Sequence, residues 1–122
     1  MTVKGLTAAQ GDDVRQALHT AERRSGLRFG VFLGQPVGGR RHFAERLHAA
    51  LGQDADDAVV VYVDPNGRAL EIVTGENARR RLSDGACRMT ALSMATAFSA
   101  GDLIGGLLYG IGALGEQATA RR

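Results

Sequence analysis

The chain has 122 residues, of which 44% are hydrophobic and 23% charged, and these proportions predict one globular domain over residues 1–122. The net charge of +2 is small, and only four Phe and two Tyr accompany the basic residues, so the composition disfavours a nucleic-acid-binding surface. The single Cys excludes an internal disulfide bond.

The sequence contains no pattern for membrane insertion or export. Its longest apolar stretch, residues 103–114, is shorter than the roughly 20 residues needed to span a bilayer. The first 20 residues lack the apolar core of a signal peptide. We therefore predict a soluble cytoplasmic protein without a transmembrane segment, with the membrane periphery as an alternative location.

The first half of the chain predicts two amphipathic helices separated by a strand. Residues 1–6 are expected to form a flexible arm, and Thr7 begins a helix whose apolar residues recur every three or four positions until Gly26 ends it. Hydrophobic residues then alternate through residues 27–33, which is the pattern of a strand. After a glycine-rich loop, a second apolar helical stripe runs as far as Gly52.

The middle of the chain predicts a β-hairpin. An acidic loop at 53–57 precedes the near-continuous apolar run AVVVYV at 58–63, which is typical of a central strand buried on both faces. The sequence DPNG at 64–67 places Asp, Pro and Gly where a tight turn favours them. Residues 68–74 are therefore expected to return along the preceding strand as its antiparallel neighbour.

The remaining chain predicts two helices, one capped by Asp84 and one by Ser99 or Asp102. The element order is therefore α-β-α-β-β-α-α. The first two strands are joined through a helix, so we expect them to be parallel with a right-handed crossover. The predicted fold class is α/β, with a small mixed sheet, composed of one parallel pair and one hairpin, flanked by helices in a compact sandwich.

Acidic residues converge on one end of this predicted sheet. In a hairpin the end of the third strand lies beside the start of the second, which brings Glu76 close to Asp56 and Asp57, and Asp84 begins the next helix. Carboxylate and carbonyl oxygens in a flexible loop are the ligands that Ca²⁺ prefers. These four residues are therefore a candidate site for Ca²⁺ or another divalent cation. The alternative is that they are solvated loop acids and helix caps.

The same stretch supports an anion site as a further interpretation. Gly75 permits close approach of the backbone, and Arg79 and Arg80 carry guanidinium groups suited to phosphate oxygens. Two features oppose it, because the preceding strand is an antiparallel return strand and the nearby carboxylates repel anions. The alternative for Arg79, Arg80 and Arg81 is a solvated helical face.

The sequence identifies no catalytic residue. Cys87 lies on an apolar helical stripe, which predicts a buried side chain and not a nucleophile. The histidines lack metal-binding spacing, and no serine lies in a nucleophile motif. The segment GIGALG at 110–115 matches G-x-G-x-x-G, yet it follows no strand, so we interpret its glycines as positions of close helix packing.

The order and spacing of these features resemble a known family. The stretch DDAVVVYVDPNGRALEIVTGENARRRLSD, followed by FSAGDLIGGLLYGIGAL, is similar to the TPM domain of thylakoid acid-phosphatase-like and bacterial proteins, and in particular to an actinobacterial branch. The positions typical of that domain are filled by Asp57, Gly75, Asp84, Phe98, Gly101, Asp102, Gly106, Leu107 and Gly110. The likeness extends over about residues 6–116.

The resemblance implies a Rossmann-like three-layer α/β/α sandwich. It also implies weak acid phosphatase activity, as in some family members, or binding of a divalent cation, chiefly Ca²⁺, through loops at one edge, as in others. Because no nucleophile–base pair can be argued from the residues, a non-catalytic binding or structural module is favoured, with a divalent cation or a protein partner as its ligand. A weak metal-assisted acid phosphatase is the alternative.

Overall fold

The computed structural model describes residues 6–119, and its helices and strands follow the predicted order. Residues 1–5 of the predicted arm lie outside this range, and Leu6 packs half-buried against the core. The elements are α1 (Ala8–Ser25), β1 (Arg28–Leu33), α2 (Arg40–Ala49), the 3₁₀ helix η1 (Gly52–Asp57), β2 (Ala58–Asp64), β3 (Ala69–Thr74), the 3₁₀ helix η2 (Ala78–Arg80), α3 (Asp84–Ser99) and α4 (Leu103–Gln117).

The strands form one sheet in the order β1-β2-β3. β1 is parallel to β2, with Phe29 beside Val59, and β3 is antiparallel to β2, with Ile72 beside Val61. Every residue of β2 is buried, as expected for a strand covered on both faces. The predicted α/β class, parallel pair and hairpin are therefore confirmed, and β1 and β3 form the edges of the sheet.

The alternation of side chains along the strands divides the core into two parts. Val59 and Val61 point to the larger core, which they form together with residues of α1, α3 and α4. Tyr62 and Val73 point to the opposite face, where they pack against Ala44 of α2. Burial of a side chain of this size stabilises a fold by about 1.5–3 kcal/mol, so β2 contributes more than either edge strand.

Side-chain caps set the starts of the helices. α1 begins with a capping box at Thr7, and the carboxylate of Asp102 caps α4. The predicted cap of α3 is wrong by one position, because the Ser83 hydroxyl accepts the N–H of Ala86 at 3.1 Å. Asp84 is instead the first residue of α3, where its negative charge suits the helix dipole.

The glycines of α4 lie where neighbouring helices come close. A Cβ atom on Gly110 would lie 2.2 Å from Met94 Sδ, and one on Gly115 would lie 2.8 Å from Ala21 Cβ. The interpretation of the GIGALG glycines as positions of close packing is confirmed for Gly110 and Gly115, which contact α3 and α1, and is wrong for Gly112, where a Cβ atom would meet nothing within 4 Å. Like the other helices within residues 6–119, α4 does not combine the length and apolar character needed to cross a membrane.

Candidate functional site

The end of β3 and the loop before β2 are joined by backbone hydrogen bonds. The N–H of Gly75 donates to the carbonyl of Ala58 at 2.9 Å, and the N–H of Asn77 donates to the carbonyl of Asp56 at 2.9 Å. A Cβ atom on Gly75 would lie 1.9 Å from the carbonyl oxygen of Ala55, so this approach requires glycine. The expected convergence of the two loops is therefore present.

The predicted metal ligands belong to two different places. Asp56, Asp57 and Glu76 are exposed at the loop junction, and Asp57 Oδ1 accepts a hydrogen bond from Asn77 Nδ2 at 3.1 Å. Asp84 lines a cleft that the other three do not line. Within residues 6–119, no three His, Cys, Asp or Glu side chains are grouped so that they could hold a metal ion. The cation site stays a prediction.

The arginines after this junction do not lie along one helical face. η2 is a single 3₁₀ turn, and Arg79 turns back so that its Nη1 donates to the carbonyl of Thr74 at 2.7 Å. Arg81 donates to the carbonyl of Ser25 at the end of α1. Arg80 is exposed. Of the two predicted anion-binding residues, only Arg79 therefore contacts the edge of the sheet.

The register of β3 shows which of its backbone groups point outward. Because the N–H of Gly75 donates to Ala58 of β2, every second residue before it also turns its backbone groups inward. The remaining residues, Leu70, Ile72 and Thr74, turn their N–H and C=O groups away from β2. Among residues 6–119, the N–H groups of Ile72 and Thr74 have no hydrogen-bond acceptor.

Two arginines cover outward carbonyls of β3. Arg79 donates to the carbonyl of Thr74, as described above. Arg41 extends from α2 so that its Nη1 donates to the carbonyl of Ile72 at 2.9 Å. Arg41 also pairs with the carboxylates of Glu45 at 3.1 Å and Glu71 at 3.3 Å. A bare edge is a template for pairing with any other strand, so these side chains protect β3.

A cleft of about 410 Å³ lies between the outward edge of β3 and the flank of α3, and we call it the β3 cleft. Its charged lining residues are Arg41, Arg79, Arg88, Glu71 and Asp84. Within the described chain, neither Arg79 nor Arg88 has a carboxylate oxygen within 4.0 Å. The cleft therefore contains two guanidinium groups that no directly paired acid neutralises.

Cys87 also lines the β3 cleft, but its setting is that of an inert thiol. The residue is 8% exposed, and burial raises the pKa of the thiol, as does the charge of Asp84, while Arg41 lowers it. A raised pKa keeps the thiol protonated near neutral pH, and the thiolate is the reactive form. The prediction that Cys87 is buried is confirmed.

Sequence analysis missed three charged residues of the cleft, namely Arg41, Glu71 and Arg88. They come from α2, β3 and α3, and only tertiary packing brings them together. The one local signal is Glu71, a charged residue in an otherwise apolar strand. A charged side chain in such a strand predicts a partner of opposite charge on a neighbouring helix, and Arg41 of α2 is that partner.

The chain is similar to one protein family and to two proteins of Mycobacterium tuberculosis. The model of the family described as "Domain of unknown function (DUF5130)" matches residues 6–115. The chain belongs to the DUF5130 family. Two relatives from Mycobacterium tuberculosis, the uncharacterized proteins MT2543 and Rv2468c, are each 34% identical to it over 97 residues. This match covers 78% of the chain and 56% of each relative, so the chain spans little more than half of their length.

Solved structures share the fold of this DUF5130 chain. The NMR structure of the BA42 protein from Bizionia argentinensis has a TM-score of 0.84 at 21% identity, covering 94% of this chain and 82% of that one. The N-terminal domain of cg2496 from Corynebacterium glutamicum has a TM-score of 0.77 at 14% identity, covering 94% and 75%. These identities establish a common fold alone, and the resemblance of the DUF5130 chain to the TPM domain stays a prediction.

Proposed function

We propose that this protein is a non-catalytic binding module whose β3 cleft binds an anionic ligand. The observation that carries the proposal is the pair Arg79 and Arg88, which line the cleft without a carboxylate oxygen within 4.0 Å among the described residues. The outward N–H groups of Ile72 and Thr74 add neutral donors. The cleft volume of about 410 Å³ falls in the range of about 300–1,000 Å³ that is usual for ligand sites.

Two features support the non-catalytic part of the proposal. Burial raises the pKa of the Cys87 thiol, which keeps the one sulfur nucleophile of the cleft protonated near neutral pH. In the described part of the chain, no His lines the cleft, so the most common general base is missing there. The residues that line the cleft therefore favour binding of a ligand over catalysis.

A titration with glutarate, a simple dicarboxylate, tests the proposal through amide NMR shifts at low salt. We expect shifts centred on residues 70–74 and 84–91. Arg79→Ala and Arg88→Ala should each weaken binding roughly two- to fivefold, which is the usual strength of a solvent-exposed ion pair.

Arg80→Ala is the matched control, because Arg80 lies in the same turn as Arg79 and does not line the cleft. Its affinity for glutarate should equal that of the wild type. Equal losses in all three variants, or no shift at the cleft at millimolar glutarate, would contradict the proposal.

A divalent cation at the junction of η1 and β3 is a second candidate. It is supported by the contact between the two loops, which brings the exposed Asp56 and Asp57 beside residues 75–77. Addition of Ca²⁺ separates it from the first candidate, because the shifted amides would then belong to residues 54–57 and 75–77 and not to the β3 cleft. The absence of such shifts at millimolar Ca²⁺ would remove this candidate.

A further inference from the structure

We propose that the ligand of the β3 cleft is an extended acidic peptide that adds to the sheet as a neighbour of β3. This inference rests on the proposed function and specifies its ligand. Peptides commonly bind in this way to an exposed sheet edge, where main-chain hydrogen bonds give affinity and side-chain contacts give specificity.

The backbone of β3 supplies the template. Ile72 and Thr74 turn their N–H and C=O groups into the cleft, two residues apart on the same edge. Alternate residues of a strand lie about 6.5–7 Å apart, and an extended peptide presents its own donors and acceptors at the same spacing. A peptide of a few residues can therefore satisfy both N–H groups and both carbonyls at once.

The arginines determine that this peptide is acidic. Arg41 and Arg79 occupy the carbonyls of Ile72 and Thr74, and those two residues are only 8% and 7% exposed. An incoming strand must take over these carbonyls. Arg41 then keeps the carboxylates of Glu45 and Glu71, whereas Arg79 has no carboxylate oxygen within 4.0 Å among the described residues and must turn to another acceptor. Hydrogen bonds to a carboxylate are stronger than those to a neutral carbonyl. Acidic side chains on the peptide therefore compensate for the exchange, and neutral side chains do not.

The wall of the cleft formed by α3 indicates what accompanies the acids. Arg88 lines the cleft without a paired carboxylate among residues 6–119. Outside the cleft lining, Leu92 lies one helical turn after Arg88 and is 64% exposed, and Met89, the next residue after Arg88, is 67% exposed, so the two form an apolar flank next in the chain to residues that line the cleft. The side chains of a bound strand point alternately to its two sides. A peptide that alternates acidic and apolar residues thus matches the charged edge and this apolar flank.

The same exchange would disfavour pairing of β3 with neutral strands. As long as no acidic strand is present, Arg41 and Arg79 each hold one outward carbonyl, so an approaching chain must displace them before it can pair with β3. A neutral strand would displace Arg79 from the carbonyl of Thr74 without offering its guanidinium group a replacement of equal strength. Selectivity for acidic sequences follows from this exchange.

Three kinds of peptide test the inference by isothermal titration at low salt. The first is a blocked hexapeptide that alternates aspartate and valine, and the second replaces each aspartate with asparagine. We expect the acidic peptide to bind at least about tenfold more tightly than the amide version. The third kind is the acidic peptide with N-methyl groups on every second residue. It is made in two versions, one methylated at the odd positions and one at the even positions.

N-methylation separates strand addition from simple attraction of charge. Only every second N–H of an added strand faces β3. Methylation of those N–H groups should abolish binding, and methylation of the other set should preserve it. If both methylated peptides bind as well as the parent, strand addition is wrong and the anion-binding proposal stands. If glutarate binds and the acidic peptide does not, the inference is overturned in the same way. If neither binds, both proposals are overturned.

The exchange of arginine partners has its own signature in a variant. In Arg79→Ala, the carbonyl of Thr74 is already free, so the preference for the acidic peptide over the amide version should shrink several-fold. Arg80→Ala should retain the full preference. An unchanged preference in Arg79→Ala would contradict the exchange, and the methylation experiment on the wild type tests strand pairing independently of how well this variant folds.

Discussion

Replacement of Gly75 by alanine tests the contact that fixes the end of β3. An added Cβ atom would lie 1.9 Å from the carbonyl oxygen of Ala55 and 2.5 Å from that of Asp56, whereas an ordinary contact begins at 3.4 Å. The junction must therefore open by about 1.5 Å, the difference between 1.9 Å and 3.4 Å. Backbone atoms cause the clash, so a change of side-chain rotamer cannot relieve it.

The cost of Gly75→Ala combines overpacking with lost hydrogen bonds. Overpacking of this kind typically costs about 1–3 kcal/mol. Opening the junction also weakens the bonds of Gly75 to Ala58 and of Asn77 to Asp56, each contributing about 0.5–1.5 kcal/mol. We therefore expect the free energy of unfolding to fall by about 2–6 kcal/mol, a large part of the about 5–15 kcal/mol that stabilises a typical domain.

Chemical denaturation monitored by circular dichroism measures this loss, with Gly34→Ala as the control. A Cβ atom on Gly34 meets nothing within 4 Å, so the control should change stability by less than about 1 kcal/mol. If Gly75→Ala is as stable as Gly34→Ala, then η1 does not press against the end of β3 as described, and the outward register derived from this junction loses its support.

Four further predictions concern the helices and the chemistry of the cleft. Gly112→Ala should raise the free energy of unfolding by about 0.5–1 kcal/mol, because a Cβ there meets open space. Gly110→Ala should lower it by about 1–3 kcal/mol, because the added Cβ clashes with Met94. Equal effects of the two substitutions in chemical denaturation would contradict the packing of α4. The Cys87 thiol should react more slowly with a thiol reagent than the thiol of the unfolded chain, and Asp84→Asn should speed the reaction because it removes a charge that raises the pKa of the thiol. Since the folded thiol holds its proton to higher pH, the unfolded chain ionises first, and stability should fall as pH rises above about 8.5 in the wild type but less so in Cys87→Ala. No hydrolysis of an aryl phosphate is expected with Ca²⁺ or Mg²⁺, and turnover that Asp84→Ala abolishes would instead favour the metal-assisted phosphatase.

The fold followed from strong local signals. The apolar run of β2 and the DPNG turn fixed a central strand and a hairpin, and helical periodicity placed the flanking helices. These signals are reliable because burial and turn geometry act within a few residues. The helix cap at Ser83 was assigned one residue late because Ser and Asp are both good caps and stand next to each other.

The candidate site followed from the sequence only in part. The approach of residues 74–77 to the acidic loop could be derived from the hairpin, and so could the presence of Arg79 near it. The arginines are solvated, as the alternative expected, but they do not share a helical face, because the segment after β3 forms one 3₁₀ turn that sends Arg79 and Arg81 in different directions. Arg41 could not be assigned, since its partner Ile72 is 31 residues away in the chain.

Amide hydrogen exchange of β3 with and without the alternating aspartate–valine peptide tests the central claim most directly. The outward N–H groups of Ile72 and Thr74 have no acceptor within residues 6–119, whereas Glu71 and Val73 turn theirs toward β2 and serve as internal controls. We predict that saturating peptide slows exchange at Ile72 and Thr74 at least about tenfold and leaves Glu71 and Val73 nearly unchanged. Equal exchange rates at Ile72 and Thr74 with and without bound peptide would contradict the account.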